Sequence, residues 1–330
     1  MAFKPGILEI REARELLAKY LRPTRAVPAP TISRNGSSAY LKLETALPTG
    51  SFKVRGALYA LALKLKKEQI VEVTAHSTGN HGAAVAYAAK LLQVPATIFL
   101  PANPNPVKRA KIRSLGARVA EKGSDSSDAF HAAHEYSRRP GVYFLNDATD
   151  PDLPAGPATI ALEIAEQVPD VGTIYVPMGD TALIRGVAAA MRQLCGNIKI
   201  IGVQAERAPS YYLSWKAGKP VSTATCDTCA DGLATRSPDA ENVRAIRKLV
   251  DDVLLVSEAQ LLEAVHHLYH REGVLAEPAG AASTAAFLSH PSGNTTVLLV
   301  TGANISDQMR LQARIPLSQA ETSAAPSVVA

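Results

Sequence analysis

Short apolar runs rich in β-branched residues alternate along this 330-residue chain with longer segments whose apolar positions recur every three or four residues. The short runs are IVEVTAH (70–76), ATIFLP (96–101), VYFLN (142–146), TIYVPMG (173–179), IKIIGVQA (198–205), DVLLVS (252–257) and TTVLLVTG (295–302), with YLKLE (40–44) a further extended piece. They are apolar on both faces, as strands buried in a parallel sheet are. Between them FKVRGALYALALKL, GAAVAYAAKLLQ, NPVKRAKIRSLG, SDAFHAAHEYSRR, PATIALEIAEQV, TALIRGVAAAMRQL and EAQLLEAVHHLYHREG read as helices, as does the amphipathic N-terminus. The alternation predicts an α/β fold with twisted, mainly parallel sheets flanked by helices, and the length suits two domains or one large one. Residues 317–330, small and polar, read as a disordered tail.

Parallel sheets bind ligands at the carboxyl ends of their strands, next to helix N-termini, so four strand–helix turns matter most. In PTGSFKVRGA (48–57), Pro48 and Gly50 break the extended run and Ser51 is the expected N-cap. Lys53 then falls in the first helical turn, where the helix dipole disfavours a cation, so its amine reads either as a snorkelling surface lysine or as a neutral Schiff-base nucleophile. In HSTGNHGAAVAYAA, the backbone amides of Thr78 to His81 point at one spot suited to a carboxylate or phosphate. VPMGDTALIRG places Gly179, Asp180, Thr181 and Ala182 where a phosphate loop sits, with Asp180 the expected N-cap. LLVTGANIS presents the Thr301 hydroxyl at a strand end, a natural partner for a neutral aromatic nitrogen.

Composition narrows the classes. The 35 basic and 30 acidic residues give a formal charge of +5 spread along the chain, which speaks for a small anionic ligand and not for nucleic acid. No apolar run reaches membrane-spanning length and the N-terminus lacks the apolar core of a signal peptide, so no membrane contact and a cytoplasmic location are expected. The three cysteines, Cys195, Cys226 and Cys229, form no disulfide framework. CDTC (226–229) has no second ligand pair for zinc, and HHLYH (266–270) reads as a partly solvated helix face.

Taken together, GSFKVRGA, STGNHG, PAGPATIALEI, ADGLAT (230–235), EPAGAAS (277–283) and TGANIS follow one another as in the fold-type II pyridoxal-phosphate enzymes, and the chain resembles their threonine/serine dehydratase and serine racemase branch, of the tryptophan synthase β-like superfamily, over roughly residues 20–306. The resemblance implies two domains, each with a twisted, mainly parallel sheet flanked by helices, a large cofactor-binding one over 1–74 and 148–320 and a small mobile one over 75–147. It further implies pyridoxal 5'-phosphate in the cleft between them, an amino-acid substrate and a homodimer. Lys53 then binds the cofactor aldehyde and removes the substrate α-proton, beside Phe52. Asn80 contacts the ring hydroxyl, and Ser77, Thr78, Gly79 and His81 grip the substrate carboxylate together with Asn80. Gly179, Asp180, Thr181, Ala182 and Leu183 hold the phosphate, Thr301 faces the pyridine nitrogen and Glu277 closes the site. The implied reaction is β-elimination from a hydroxy amino acid such as L-threonine or L-serine, releasing a 2-oxo acid and ammonia.

The chain departs from the branch at several positions. The phosphate loop, usually four glycines, is Gly179-Asp180-Thr181-Ala182, and Pro157-Ala158 replaces the usual Gln-Gly. Of the cation site found in racemases of the branch, Glu206 and Ser210 match, but Tyr212 replaces the second carboxylate, so no metal is expected. Racemisation needs a second catalytic acid on the far face of the cofactor, where racemases of the branch place a serine and pure dehydratases more often an alanine. Here the resemblance implies Thr78, whose hydroxyl could serve on a stiffer, β-branched side chain. Racemisation, or dehydration of 3-hydroxyaspartate or phenylserine, is the alternative, the last suggested by the aromatic SYYLSW (210–215), which reads equally as a packed helix or dimer contact. A threonine synthase-like enzyme or a non-catalytic homologue stands behind these.

Overall fold

A computed structural model describes residues 4–33, 36–77, 79–102 and 106–317. Among these, ten strands form two sheets. β1 (Ala26–Pro28), β2 (Ala39–Leu43), β10 (Thr296–Val300), β7 (Thr173–Pro177), β8 (Lys199–Ala205) and β9 (Asp252–Val256) lie in that spatial order, parallel except for the antiparallel β1–β2 pair. The second sheet is β5 (Arg118–Glu121), β4 (Ala96–Leu100), β3 (Glu72–His76) and β6 (Val142–Phe144), parallel throughout. The expected boundary at 74/75 falls inside β3. All the expected strands are present. β7 and β10 are buried at every position, the burial on both faces that their unbroken apolar runs imply.

Three helices tie the halves together. α2 (Lys53–Lys67) packs against α3 (Asn80–Leu91) on the small sheet and α6 (Ala155–Gln167) on the large one, and α1 (Ile7–Leu17) covers α2 and α6. α4 (Pro106–Ser114) and α5 (Ser126–Tyr136) complete the layers around the small sheet. α7 (Ala182–Leu194), α8 (Ser210–Ala217) and α9 (Ala240–Leu249) pack in series beside the large sheet, while α10 (Glu258–Glu272) and α11 (Pro278–Ser289) pair with each other.

Beneath α2 lies a buried ionic quartet. Arg55 donates from Nε to Glu44 at 2.7 Å, from Nη1 to Glu163 at 2.6 Å and from Nη1 to Thr159 at 3.0 Å, while Lys42 donates to Glu163 at 2.6 Å and to the Thr24 carbonyl at 2.7 Å. Two cations face two carboxylates, so the cluster is neutral, as burial requires. Burial tends to lift the Glu163 carboxyl, but Arg55 and Lys42 outweigh it and hold it below the usual range.

Two expected caps are displaced. Ser51 does not cap α2. Its backbone forms an antiparallel bridge with Gly302, the Phe52 N–H donates to the Thr301 carbonyl at 3.0 Å, and the helix starts one residue later with Phe52 at the cap position. Likewise Thr181, not Asp180, stands at the head of α7, in a left-handed conformation (φ 69°). Two expected features lie outside the described residues: Thr78, and the tail from residue 318 onward.

Candidate active site

The carboxyl ends of both sheets open into one cleft of about 550 Å³, within the usual size of small-molecule sites. Phe52, Lys53, Ser77, Gly79, Asn80, His81, Gly179, Asp180, Thr181, Ala182, Leu183, Glu277 and Thr301 all line it. Every expected site residue among those described is therefore in one place, although they are drawn from turns as far apart in the chain as Phe52 and Thr301. Glu206, by contrast, is exposed, and the buried Ser210 hydroxyl donates to the Thr235 carbonyl at 2.5 Å. Among the described residues no three His, Cys, Asp or Glu side chains gather as metal ligands.

Lys53 occupies the first turn of α2 because the Ser51–Gly302 bridge fixes the strand leading into it. Its Nζ donates to Asp147 Oδ2 at 2.7 Å, an ion pair mostly withdrawn from solvent. Burial alone would lower the ammonium's pKa, but the charges of Asp147, Asp180 and Glu277 together overcome it and raise it above the ordinary lysine value. Of the two readings of Lys53, a solvated surface lysine and a nucleophile in a site, the geometry places the amine in the cleft, and Asp147 favours its protonated form. Asp147 is itself kept well below the carboxylate range, where the charge and hydrogen bond of Lys53 outweigh its burial.

Asn80 is oriented from both ends. Its Nδ2 donates to Glu277 Oε1 at 2.6 Å and its Oδ1 accepts from Asn304 Nδ2 at 2.6 Å, while Lys111 donates to Asn304 Oδ1. Gly302 is required here, because a Cβ on it would stand 2.0 Å from Glu277 Oε1. His81 is buried, and its Nε2–H donates to the Leu145 carbonyl at 2.9 Å, which leaves Nδ1 buried without a partner. Burial keeps this imidazole below its ordinary pKa and so neutral. Among the described residues the first intrahelical bond of α3 runs from Ala83 N–H to the Gly79 carbonyl, and the amides of Asn80 and His81 at its head have no partner there.

At the head of α7 the first intrahelical bond is Arg185 N–H to Thr181 O at 2.9 Å, so the amides of Ala182, Leu183 and Ile184 are similarly unspent. Gly179 packs on the 230–235 segment so closely that a Cβ would lie 2.3 Å from the Gly232 carbonyl. Asp180 turns its carboxylate to the Thr235 hydroxyl at 3.1 Å, and burial together with Asp147 pushes its pKa up to about 6. Fully buried Arg185 donates from Nε to Thr181 Oγ1 at 3.1 Å and from Nη2 to the Ala148 carbonyl at 3.2 Å.

Asp147, Arg185, Asn304, Lys111 and Thr235 are not among the expected residues. Asn304 was within reach, lying in the TGANIS segment. Thr235 closes the ADGLAT segment and Arg185 lies in VPMGDTALIRG, so both were equally within reach, whereas Asp147 and Lys111 carry no local pattern and meet partners distant in sequence. The aromatic 210–215 run is not a substrate wall: none of its residues lines the cleft, Tyr211 is buried, and Tyr212 and Trp215 pack against the core beside α7. Cys226 reaches the cleft edge. Cys229, its thiol pushed up to about 12 by burial, gives its backbone N–H to Glu258 at 2.6 Å. His266 and His270 bond the carbonyls of Ala313 and Arg314, a structural use.

Two parallel sheets meeting at their carboxyl ends, with a lysine at one helix head facing two other helix heads that offer free amides, define a fold-type II pyridoxal-phosphate enzyme. The chain belongs to the pyridoxal-phosphate dependent enzyme family, whose model matches residues 17–302. It is 35% identical over 304 residues to the L-threonine ammonia-lyase of Thermotoga maritima, covering 91% of this chain and 76% of that one. Among solved structures it is similar to maize serine racemase (TM-score 0.88, 29% identity, 94% of this chain and 97% of that one) and to the threonine deaminase isoform 2 of Solanum lycopersicum in its processed form (0.87, 27%, 95% and 90%).

The residues fit the cofactor that the family uses. The free amides of α7 would meet its phosphate, the cradle at Gly179 has no room for a side chain, and an amine stands at the cleft. Asp180 is the one like charge among residues 179–183, and burial together with Asp147 raises its carboxyl above the ordinary carboxylate range, toward the neutral form that a bound phosphate tolerates.

Proposed function

We propose that the protein is a pyridoxal-phosphate-dependent ammonia-lyase that dehydrates and deaminates a β-hydroxy amino acid, L-threonine or L-serine being the substrates tested first. The observation that carries the reading is the convergence of Lys53, the oriented Asn80 and the open helix heads of α3 and α7 on one cleft, in a chain 35% identical to an L-threonine ammonia-lyase.

Bound pyridoxal phosphate supplies the electron sink for the charge left at the substrate's α-carbon. The chain supplies the rest. Lys53 Nζ would bind the cofactor's aldehyde and take up the substrate's α-proton. The amides of Ala182, Leu183 and Ile184 would hold the phosphate, with Gly179, Asp180 and Thr181 shaping the loop. Asn80, fixed by Glu277 and Asn304, would hold the ring hydroxyl, with Phe52 beside the ring and Thr301 at its nitrogen. The amides of Asn80 and His81, with Ser77, Thr78 and Gly79 shaping the loop, would take the substrate carboxylate; the Gly79 N–H is itself given to the Ser77 hydroxyl at 3.1 Å. His81 contributes through its backbone, because its Nε2–H is committed to Leu145. The four-stranded sheet with α3, α4 and α5 is the smaller, mobile domain in this reading, and the enzyme a cytoplasmic homodimer.

The test is the near-visible spectrum of the purified protein with pyridoxal phosphate, together with a 2-oxo acid assay on L-threonine, L-serine, L-threo-3-hydroxyaspartate and L-phenylserine. A visible band lost in Lys53→Ala, with oxo acid formed from one of the four, supports the reading. A protein that binds no cofactor at any pH refutes it.

A further inference from the structure

One charged group at the reacting nitrogen has no task in the mechanism above. Asp147 follows β6 in the small sheet, and its carboxylate meets Lys53 Nζ, from the large-sheet side, at 2.7 Å. This placement is built. The neighbouring Ala148 carbonyl accepts from two fully buried side chains of the opposite half, Asn242 Nδ2 at 2.9 Å and Arg185 Nη2 at 3.2 Å. The Ala148 N–H donates to Asn146 Oδ1 at 2.9 Å, and Asp150 Oδ1 accepts from the Asp152 and Leu153 N–H groups at 3.0 Å, closing the turn.

Other charged or titratable groups face Lys53: Asp180 ahead of α7, Glu277 ahead of α11 and His81 in α3. Asp180 is engaged by Thr235 and Glu277 by Asn80, whereas Asp147 bonds the amine directly.

We propose that Asp147 is the residue that sets the base strength of Lys53, a carboxylate placed to stabilise the ammonium formed when Lys53 Nζ accepts the substrate α-proton. The inference rests on the lyase reading. The step balances within the site: the α-carbon–hydrogen bond breaks, its electron pair stays on the substrate, and the proton goes to Nζ, where Asp147 Oδ2 neutralises the new charge. The same pairing opposes attachment of the cofactor aldehyde, because Nζ must first give up a proton. One residue therefore acts in opposite senses on two measurable steps.

The experiment compares wild type, Asp147→Asn and Asp147→Glu. Attachment is read by borohydride trapping of pyridoxal phosphate on Lys53, with mass spectrometry, as a function of pH. Proton abstraction is read by NMR as exchange of the α-hydrogen of L-alanine in D₂O with loaded protein. In Asp147→Asn, trapping at pH 7.5 is expected to be at least tenfold faster, its pH profile shifted to lower pH, and α-exchange at least tenfold slower. Asp147→Glu is expected to recover part of both. If both readouts fall together, or if the trapping profile does not move while circular dichroism shows intact fold, the proposal is overturned. The wild-type trapping profile, which needs no variant, must rise at a higher pH than that of free lysine at the same cofactor concentration; a lower one overturns it too. Failure of wild type to trap on Lys53 at any pH would instead sink the lyase reading itself.

Discussion

Replacing Arg55 by methionine tests the buried quartet under α2. The guanidinium bonds both Glu44 and Glu163 and is almost fully buried, as are both carboxylates. Its loss leaves Glu44 and Glu163 facing Lys42 alone, one uncompensated buried negative charge. An attraction of about 4 kcal/mol per pair at 4 Å separation and an effective dielectric constant of 20 is lost, partly offset by not having to desolvate the guanidinium. Breaking one side of such a cluster costs about 3–5 kcal/mol. At roughly 2 °C per kcal/mol for a chain of this size, the melting temperature should fall by about 6–10 °C. Equilibrium unfolding in urea, monitored by circular dichroism, gives the free energy directly. Adding Glu44→Gln restores neutrality, with Lys42 facing Glu163, so the double variant should be more stable than Arg55→Met alone. The deficit should also shrink as pH falls toward 4. The surplus carboxylate's pKa is raised in the folded state, so its penalty is absent below the unfolded value and develops as pH rises through the folded one. A loss under 1 kcal/mol, or a double variant no better than the single, would refute the charge-balance reasoning.

Asp180→Asn should bind pyridoxal phosphate more tightly than wild type above pH 6, in a fluorescence titration, with the difference closing toward pH 4. The same substitution should remove a loss of stability that wild type shows as pH rises from about 4 to about 6, since a carboxyl raised to about 6 favours the folded state only while protonated. Gly302→Ala forces Glu277 off Asn80 and should lower kcat/KM at least tenfold, roughly the 1.4 kcal/mol of one buried hydrogen bond, with Asn80→Ala no better. Gln93→Gly, at a left-handed position (φ 57°) just past α3, should stabilise the protein by roughly 0.5–1 kcal/mol in thermal unfolding and leave turnover unchanged.

The strands were legible because burial on both faces leaves unbroken apolar runs, and the expected site residues because each sits at a strand–helix junction with its own local motif. β1 and β5, three and four residues long and poorly buried, lack that signal. So does α11, whose small residues are buried all round and show no stripe. α9 was readable, with Asp239 capping a segment whose apolar positions 243, 246 and 249 share one face. Ser51 misled because a cap is a local inference and the bridge to Gly302 is tertiary. Asp147 lies 94 positions from Lys53, and nothing near it in sequence announces a partner. Arg185 looks like an ordinary exposed helical arginine until Ala148 and Thr181 close over it.

The pairing of β2 with β10 has a consequence for how the protein is made. Residues 39–43 find their neighbours only at 296–300, and Asn304 must reach back to Asn80 and to the Thr49 carbonyl. A ribosome must therefore have passed residue 304 before the early strand can leave the edge of an unfinished sheet or the lysine can acquire its pocket. Folding of such long-range topology is slow, and its intermediates are sticky. Cofactor capture waits on that late segment, and a nascent fragment that stops short of it holds an amine with half its surroundings missing.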